Sequence, residues 1–167
     1  MGGSAMQRVL LDAGDRVSGL IGISPVPSTG APFDEKSEQL FSGAGDNHDN
    51  RYAIIDLTTG GRLSRAWLDR MVQFSLDVSD PAAFGAHPAA WVRTDFSAEV
   101  AGNPVPVPVL EIVGEHDPAL GAAVMEQTFL EQDPNASLEV LSNTGHHAMS
   151  EAPVALLTVV ERSLDRL

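Results

Sequence analysis

Apolar and polar positions divide the chain into two ends that alternate helix and strand and a middle of helices and loops. Residues 3–13 place Met6, Val9, Leu10 and Ala13 on one side of a helix, with Gly14 as its stop. Residues 17–23 are apolar on both faces, the pattern of a buried parallel strand, and Ser24-Pro25 ends it. Residues 25–61 are rich in Pro, Gly, Ser and Asp; 42–47 and 59–61 read as loops, and the run 52–57 is too short to assign. Leu63, Trp67, Met71, Phe74 and Val78 recur at helical spacing and predict a helix over 62–78 with these five as its core stripe. Ser79-Asp80-Pro81 supplies a capping side chain and a first-turn proline, so a second helix runs from there toward Trp91.

The pattern changes after Asn103. Residues 107–113 predict a strand, and 119–131 a helix with Val124, Thr128 and Phe129 inward. Asp133-Pro134-Asn135 turns the chain into a strand over 138–141. Residues 153–167 predict a last helix with Leu156, Leu157, Val160 and Leu164 inward. Strand, helix, strand, helix with short connections is the signature of a parallel sheet with crossover helices.

Composition narrows the classes. The 167 residues suffice for one domain with a core, and 43% hydrophobic with 20% charged residues is globular. A net charge of −13 argues against nucleic acid and against anionic membranes, and is accounted for by solubility. The absence of cysteine excludes disulfides and thiolate metal sites. Met1 is followed by Gly-Gly-Ser rather than a basic and apolar leader, and no run reaches membrane-span length, so a cytoplasmic location is expected. No metal is expected: His146 and His147 are adjacent, so their side chains diverge, and no further ligand cluster accompanies them. No cofactor is expected either.

In an open parallel sheet, functional groups gather beyond the C-terminal strand ends. Asp117 follows the strand over 107–113 in a loop opened by Gly114, and His146 follows the strand over 138–141 in the loop Ser142-Asn143-Thr144-Gly145. Parallel strands put both at one rim. A carboxylate there accepts the Nδ1 hydrogen of an imidazole and stabilises the imidazolium formed when Nε2 takes a proton. Asp117 before Pro118 also has the form of an ordinary helix cap. His116 is expected to point away, and His48 and His87 to lie on the surface.

The segments Val107-Pro108-Val109-Leu110-Glu111-Ile112-Val113-Gly114-Glu115-His116-Asp117 and Gly145-His146-His147-Ala148-Met149-Ser150-Glu151-Ala152-Pro153 resemble the α/β-hydrolase superfamily. The first is similar to the late core strand whose loop carries the triad acid, the second to the triad histidine loop and the start of the last helix. Residues 17–24 resemble the strand after the nucleophile helix. The resemblance implies the C-terminal part of an α/β-hydrolase parallel sheet, about three strands with flanking helices, with core at 1–25 and 96–167. It implies a helical lid at 26–95, with Trp67, Phe74 and Trp91 as candidate lining for a small-molecule substrate.

Met1-Gly2-Gly3 resembles the end of the family's Gly-x-nucleophile-x-Gly turn, taken up just after the nucleophile. Met1 then stands where the family places an oxyanion donor, although as a terminal amine it would be a cation. The resemblance implies that the nucleophile, the other oxyanion donor and the first five core strands lie outside this sequence. Ser as nucleophile points to ester-like hydrolysis, Asp to epoxide or haloalkane chemistry. Ser4 lies too late, on the predicted helix, to substitute. The isolated chain is expected to be inactive, with His146 and Asp117 as the acid–base pair of a longer parent. The alternative is a non-catalytic remnant that binds a small ligand or self-associates through the exposed strand edge 17–23.

Overall fold

Three strands pair side by side in one parallel sheet, whose central strand is buried on both faces. They are β1 (Leu20–Ile23), β2 (Val109–Gly114) and β3 (Ala136–Leu141), in the order β1-β2-β3. The computed structural model describes residues 2–30, 33–104 and 106–165. Helix α1 (Gly2–Ala13) precedes β1 and packs on it. Between β1 and β2 run α2 (Glu35–Ser42), α3 (His48–Thr58), α4 (Arg65–Val78), α5 (Pro81–Arg93) and α6 (Ser97–Gly102). Helices α7 (Ala122–Glu126) and α8 (Phe129–Gln132) connect β2 to β3, and α9 (Ala148–Glu151) and α10 (Pro153–Leu164) follow. Among the described residues, no helix is long and apolar enough to cross a membrane.

Every residue of β2 is buried. On one face, Leu110, Ile112 and Leu141 meet Ala148, Leu156 and Val159. On the other, Val113 packs with Val26, Leu120, Met125 and Phe129. The register pairs Ile23 with Ile112 and Gly114 with Leu141, so all three strands finish at one rim. Ser24 leaves β1 with φ 45°, a left-handed conformation that non-glycine residues seldom adopt.

Four of the helices between β1 and β2, α2 to α5, begin on side-chain caps. Asp34, Asn47, Ser64 and Asp80 accept from the backbone N–H of Ser37, Asn50, Trp67 and Ala83. Arg51 of α3 is buried without a carboxylate partner among the described residues. Its guanidinium donates to the carbonyls of Ala44 and Gly45 and to the hydroxyls of Ser75 and Ser79, and lies 3.5 Å from the Phe84 ring centroid. These acceptors and the ring face replace water around a charge too costly to bury bare. They tie α3 to α4 and α5.

Several sequence expectations need correction. The strand expected over 17–23 begins at Leu20, where pairing starts through Leu20 N–H to the Pro108 carbonyl. The unassigned run 52–57 lies inside α3. The buried face of α4 centres on Leu68 and Val72; Leu63, Trp67 and Met71 are partly buried, while Phe74 and Val78 are 58% and 65% exposed. Arg51 draws Ser75 toward α3, and Phe74, about 100° earlier on the helix, is rotated outward. The helix over 119–131 is broken into α7 and α8, with Thr128 non-helical between them. Along α10, Leu156 and Val159 meet the sheet, Val160 is partly buried, and Leu157 and Leu164 are exposed. The helix presents a narrower stripe than its sequence offers.

Two positions in this framework make testable demands. At Gly145, an added Cβ would come within 2.6 Å of Thr59 Cα and 2.9 Å of the Thr58 carbonyl oxygen, so Gly145→Ala must force the histidine loop off α3. The expected loss is roughly 1–3 kcal/mol of unfolding free energy by denaturant titration; unchanged stability would show that the loop is not seated there. The second position is Glu111 of β2. It is 0% exposed, and among the described residues neither carboxyl oxygen has a hydrogen-bond partner. Burial, then the nearby Asp133, push its carboxyl up to about 8 from 4.5. The folded state therefore holds this proton more tightly than the unfolded state, and its contribution is lost as pH rises from 4.5 through 8. Glu111→Gln should remove a fall on the order of 4 kcal/mol across that window. Denaturant unfolding at pH 5 and pH 8 measures it, and equal slopes in both proteins would contradict the assignment.

Candidate acid–base site

The rim loops carry the two residues singled out in the sequence. Asp117 lies in the turn after β2, and His146 in the turn after β3. His146 Nδ1 is 2.7 Å from Asp117 Oδ2. The Asp117 side chain is 0% exposed and that of His146 31%. A carboxylate can only accept, so Nδ1 carries the shared hydrogen and Nε2 of the neutral ring is left as the proton acceptor.

Asp117 does not cap a helix, because α7 begins only at Ala122, behind Gly121. Its Oδ1 instead accepts the N–H groups of Ala119 and Leu120 in the turn, both at 3.0 Å, while Oδ2 faces the imidazole. Burial alone would raise its carboxyl, but the His146 hydrogen bond and charge, with the Leu120 and Ala119 amides, outweigh burial and hold it below the ordinary carboxylate value.

The backbone around His146 is fixed from several sides. Its N–H donates to the Thr58 carbonyl at 3.0 Å, from the end of α3. Its carbonyl accepts from Ser24 Oγ at 3.2 Å, from the end of β1. His116 N–H donates to the Thr144 carbonyl at 2.8 Å, joining the Asp117 turn to the histidine turn. An added Cβ at Gly114 would strike the backbone of Thr144 and Gly145, so the two turns approach closely. Asn143 takes the left-handed φ of 52° in this turn, and its N–H donates to Glu115 Oε2 at 2.8 Å.

Glu151, which the sequence does not single out, organises the loop. Its Oε2 accepts Gly145 N–H at 2.8 Å and its Oε1 accepts His147 N–H at 3.0 Å. Arg62, from the turn before α4, closes on the same carboxylate through Nη2. No local sequence signal marks this contact, because Arg62 and Glu151 are far apart in the chain. Ser24 was likewise read only as a strand end.

His147 turns away from Asp117. Its ring lies 5.4 Å from that of His146 and 6.5 Å from that of Trp67, centroid to centroid. Burial, then the neighbouring His146, push its imidazole down to about 4. It stays neutral beside the pair.

The remaining site expectations divide. Trp67 is brought to the histidine turn through His147. Trp91 is held elsewhere, packed on Phe33 at 5.0 Å and Phe41 at 6.1 Å. Phe74 stands on the exposed face of α4. Met1 lies outside the described residues. His116 is part-exposed, as its outward expectation has it, and His48 and His87 are exposed.

No family model matches the chain, and no curated protein matches it. Solved structures do. A thermophilic esterase superposes with a TM-score of 0.78 at 18% identity, over 98% of this chain and 62% of its own. An esterase from Exiguobacterium antarcticum gives 0.81 at 14% identity, over 98% and 63%. The carboxylesterase CesB from Bacillus subtilis gives 0.66 at 22% identity, over 95% and 55%. The chain therefore spans less than two thirds of the length of these structures. Three parallel strands with flanking helices, superposing almost throughout on part of each neighbour, give this chain the C-terminal part of the α/β-hydrolase fold.

Proposed function

We propose that the chain carries the acid–base half of a nucleophile–His–Asp hydrolase acting on small ester-like substrates. The 2.7 Å contact between His146 Nδ1 and a buried Asp117 carboxylate carries this reading. His146 would take the proton of an attacking nucleophile through Nε2 and return it to the leaving group. Asp117 would fix the tautomer and stabilise the imidazolium. Several of the structurally similar proteins are esterases, which supports ester chemistry.

In this reading the nucleophile is supplied from outside these residues. Among the described residues, no side chain hydrogen-bonds His146 Nε2. Two serines of the first strand and helix are engaged otherwise: Ser24 Oγ donates to the His146 carbonyl, and Ser4 Oγ to the carbonyls of Val26 and Pro27. Trp67, beside His147, is the candidate substrate-lining residue that the geometry favours, and residues 26–95 would serve as the lid.

The edge position of β1 favours a second reading, in which the chain self-associates. Among the described residues β1 has a neighbour on one side only, and an unpaired strand edge is a template for another strand. The described strand is four residues long, so the edge is shorter than the run 17–23 suggests.

Two measurements separate these readings. With p-nitrophenyl acetate, the 167-residue chain should show no turnover above buffer. Robust turnover that His146→Ala abolishes would place the nucleophile inside the chain and overturn the first reading. In sedimentation velocity, edge pairing gives a dimer whose population rises with concentration. A monomer at every concentration, unfolding cooperatively, would rule it out.

A further inference from the structure

We infer that Arg62 and Glu151 form a positioning clamp that sets His146 against Asp117, placing the acid–base pair under the control of the helical segment between β1 and β2. The inference rests on the acid–base reading of His146 and assigns two positioning residues to it. Glu151 holds the residues on either side of His146 at once, accepting Gly145 N–H with one oxygen and His147 N–H with the other. Turning the His146 peptide away from Asp117 requires breaking both bonds.

The carboxylate is poorly placed to do this alone. Its side chain is only 1% exposed, and an ionised carboxylate so buried needs a countercharge. Arg62 provides it. Its Nη2 meets Glu151 Oε2, and its Nη1 reaches Asn143 Oδ1 in the same turn at 3.4 Å. Among the described residues Arg62 Nε is buried there without an acceptor, so the guanidinium is held at a desolvation cost that the ion pair offsets.

Arg62 belongs to the turn between α3 and α4. Gly60 and Gly61 lead into it with φ of 76° and 63°, bringing the chain back from the end of α3. The same end of α3 supplies the Thr58 carbonyl that takes His146 N–H. The helical segment therefore grips the histidine turn at three consecutive residues: through Glu151 at Gly145 and His147, and directly at His146. A shift of α3 would be transmitted to the imidazole by these contacts without any residue of α4 or α5 touching the pair.

Proton NMR on the full chain tests this without turnover, so its outcome is separate from that of the esterase assay. The Nδ1 proton of His146 shared with Asp117 should give a low-field signal, assigned by its loss in Asp117→Asn. Arg62→Ala should speed exchange of that proton with solvent by about tenfold. Arg62→Lys, which keeps the charge, should restore most of the protection, and Glu151→Gln should behave like Arg62→Ala. Thermal unfolding of each variant identifies any that fail to fold; Arg62→Ala, which removes a partly exposed side chain, serves should Glu151→Gln do so. Wild-type exchange in a folded Arg62→Ala protein, or failure of Arg62→Lys to restore what Arg62→Ala loses, would overturn the clamp.

Discussion

Three backbones meet at Gly145, and the geometry of the rim depends on that crowding. The end of β2 at Gly114, the histidine turn and the end of α3 approach so closely that neither glycine has room for a side chain. The parallel register sets up the meeting, since Gly114 is paired with Leu141 at the last position of β3. Interiors packed to this density do not deform smoothly. The histidine turn is thus confined between a strand end and a helix end, and His146 has one place to go. Asp117 is delivered to that place by the turn that leaves Gly114.

The buried carboxyls of Asp117 and Glu111 differ, and the contrast shows where ionisation is maintained. Asp117 is inaccessible but accepts from two backbone amides and an imidazole, and remains an anion. Glu151 accepts from two amides and faces a guanidinium. Both lie at the rim. Glu111, in the middle of β2, has no hydrogen-bond partner among the described residues, and burial pushes its carboxyl up to about 8. The same side-chain chemistry is therefore ionised or neutral according to whether N–H groups point at it. The rim supplies such donors because turns leave backbone amides free, whereas the centre of a sheet uses them in the ladder.

Much of this was legible in the sequence. Short apolar runs alternating with helical stripes predicted the parallel sheet, and the position of Asp117 and His146 just past two of those runs predicted one rim. Local patterns were sufficient there because each depends on a few neighbouring residues. They failed where tertiary contacts choose among equivalent apolar positions. Phe74 and Val78 fit the stripe of α4 as well as Leu68 and Val72 do, yet the packing against α3 buries Leu68 and Val72 instead. Trp91 was drawn to Phe33 and Phe41 rather than to the histidine turn. The roles of Arg62, Glu151 and Ser24 were illegible because Arg62 reaches a carboxylate distant in the chain, while Glu151 and Ser24 serve backbone groups, which leave no trace in residue identity.

The central claim is that a buried carboxylate fixes His146 as the Nδ1–H tautomer, with Nε2 free to accept a proton. Long-range proton–nitrogen NMR of the histidine side chains reads that tautomer directly. The account predicts that neutral His146 shows a protonated Nδ1 and an unprotonated Nε2, and that Asp117→Asn disturbs this pattern. A neutral His146 protonated at Nε2 in the wild-type chain would contradict it.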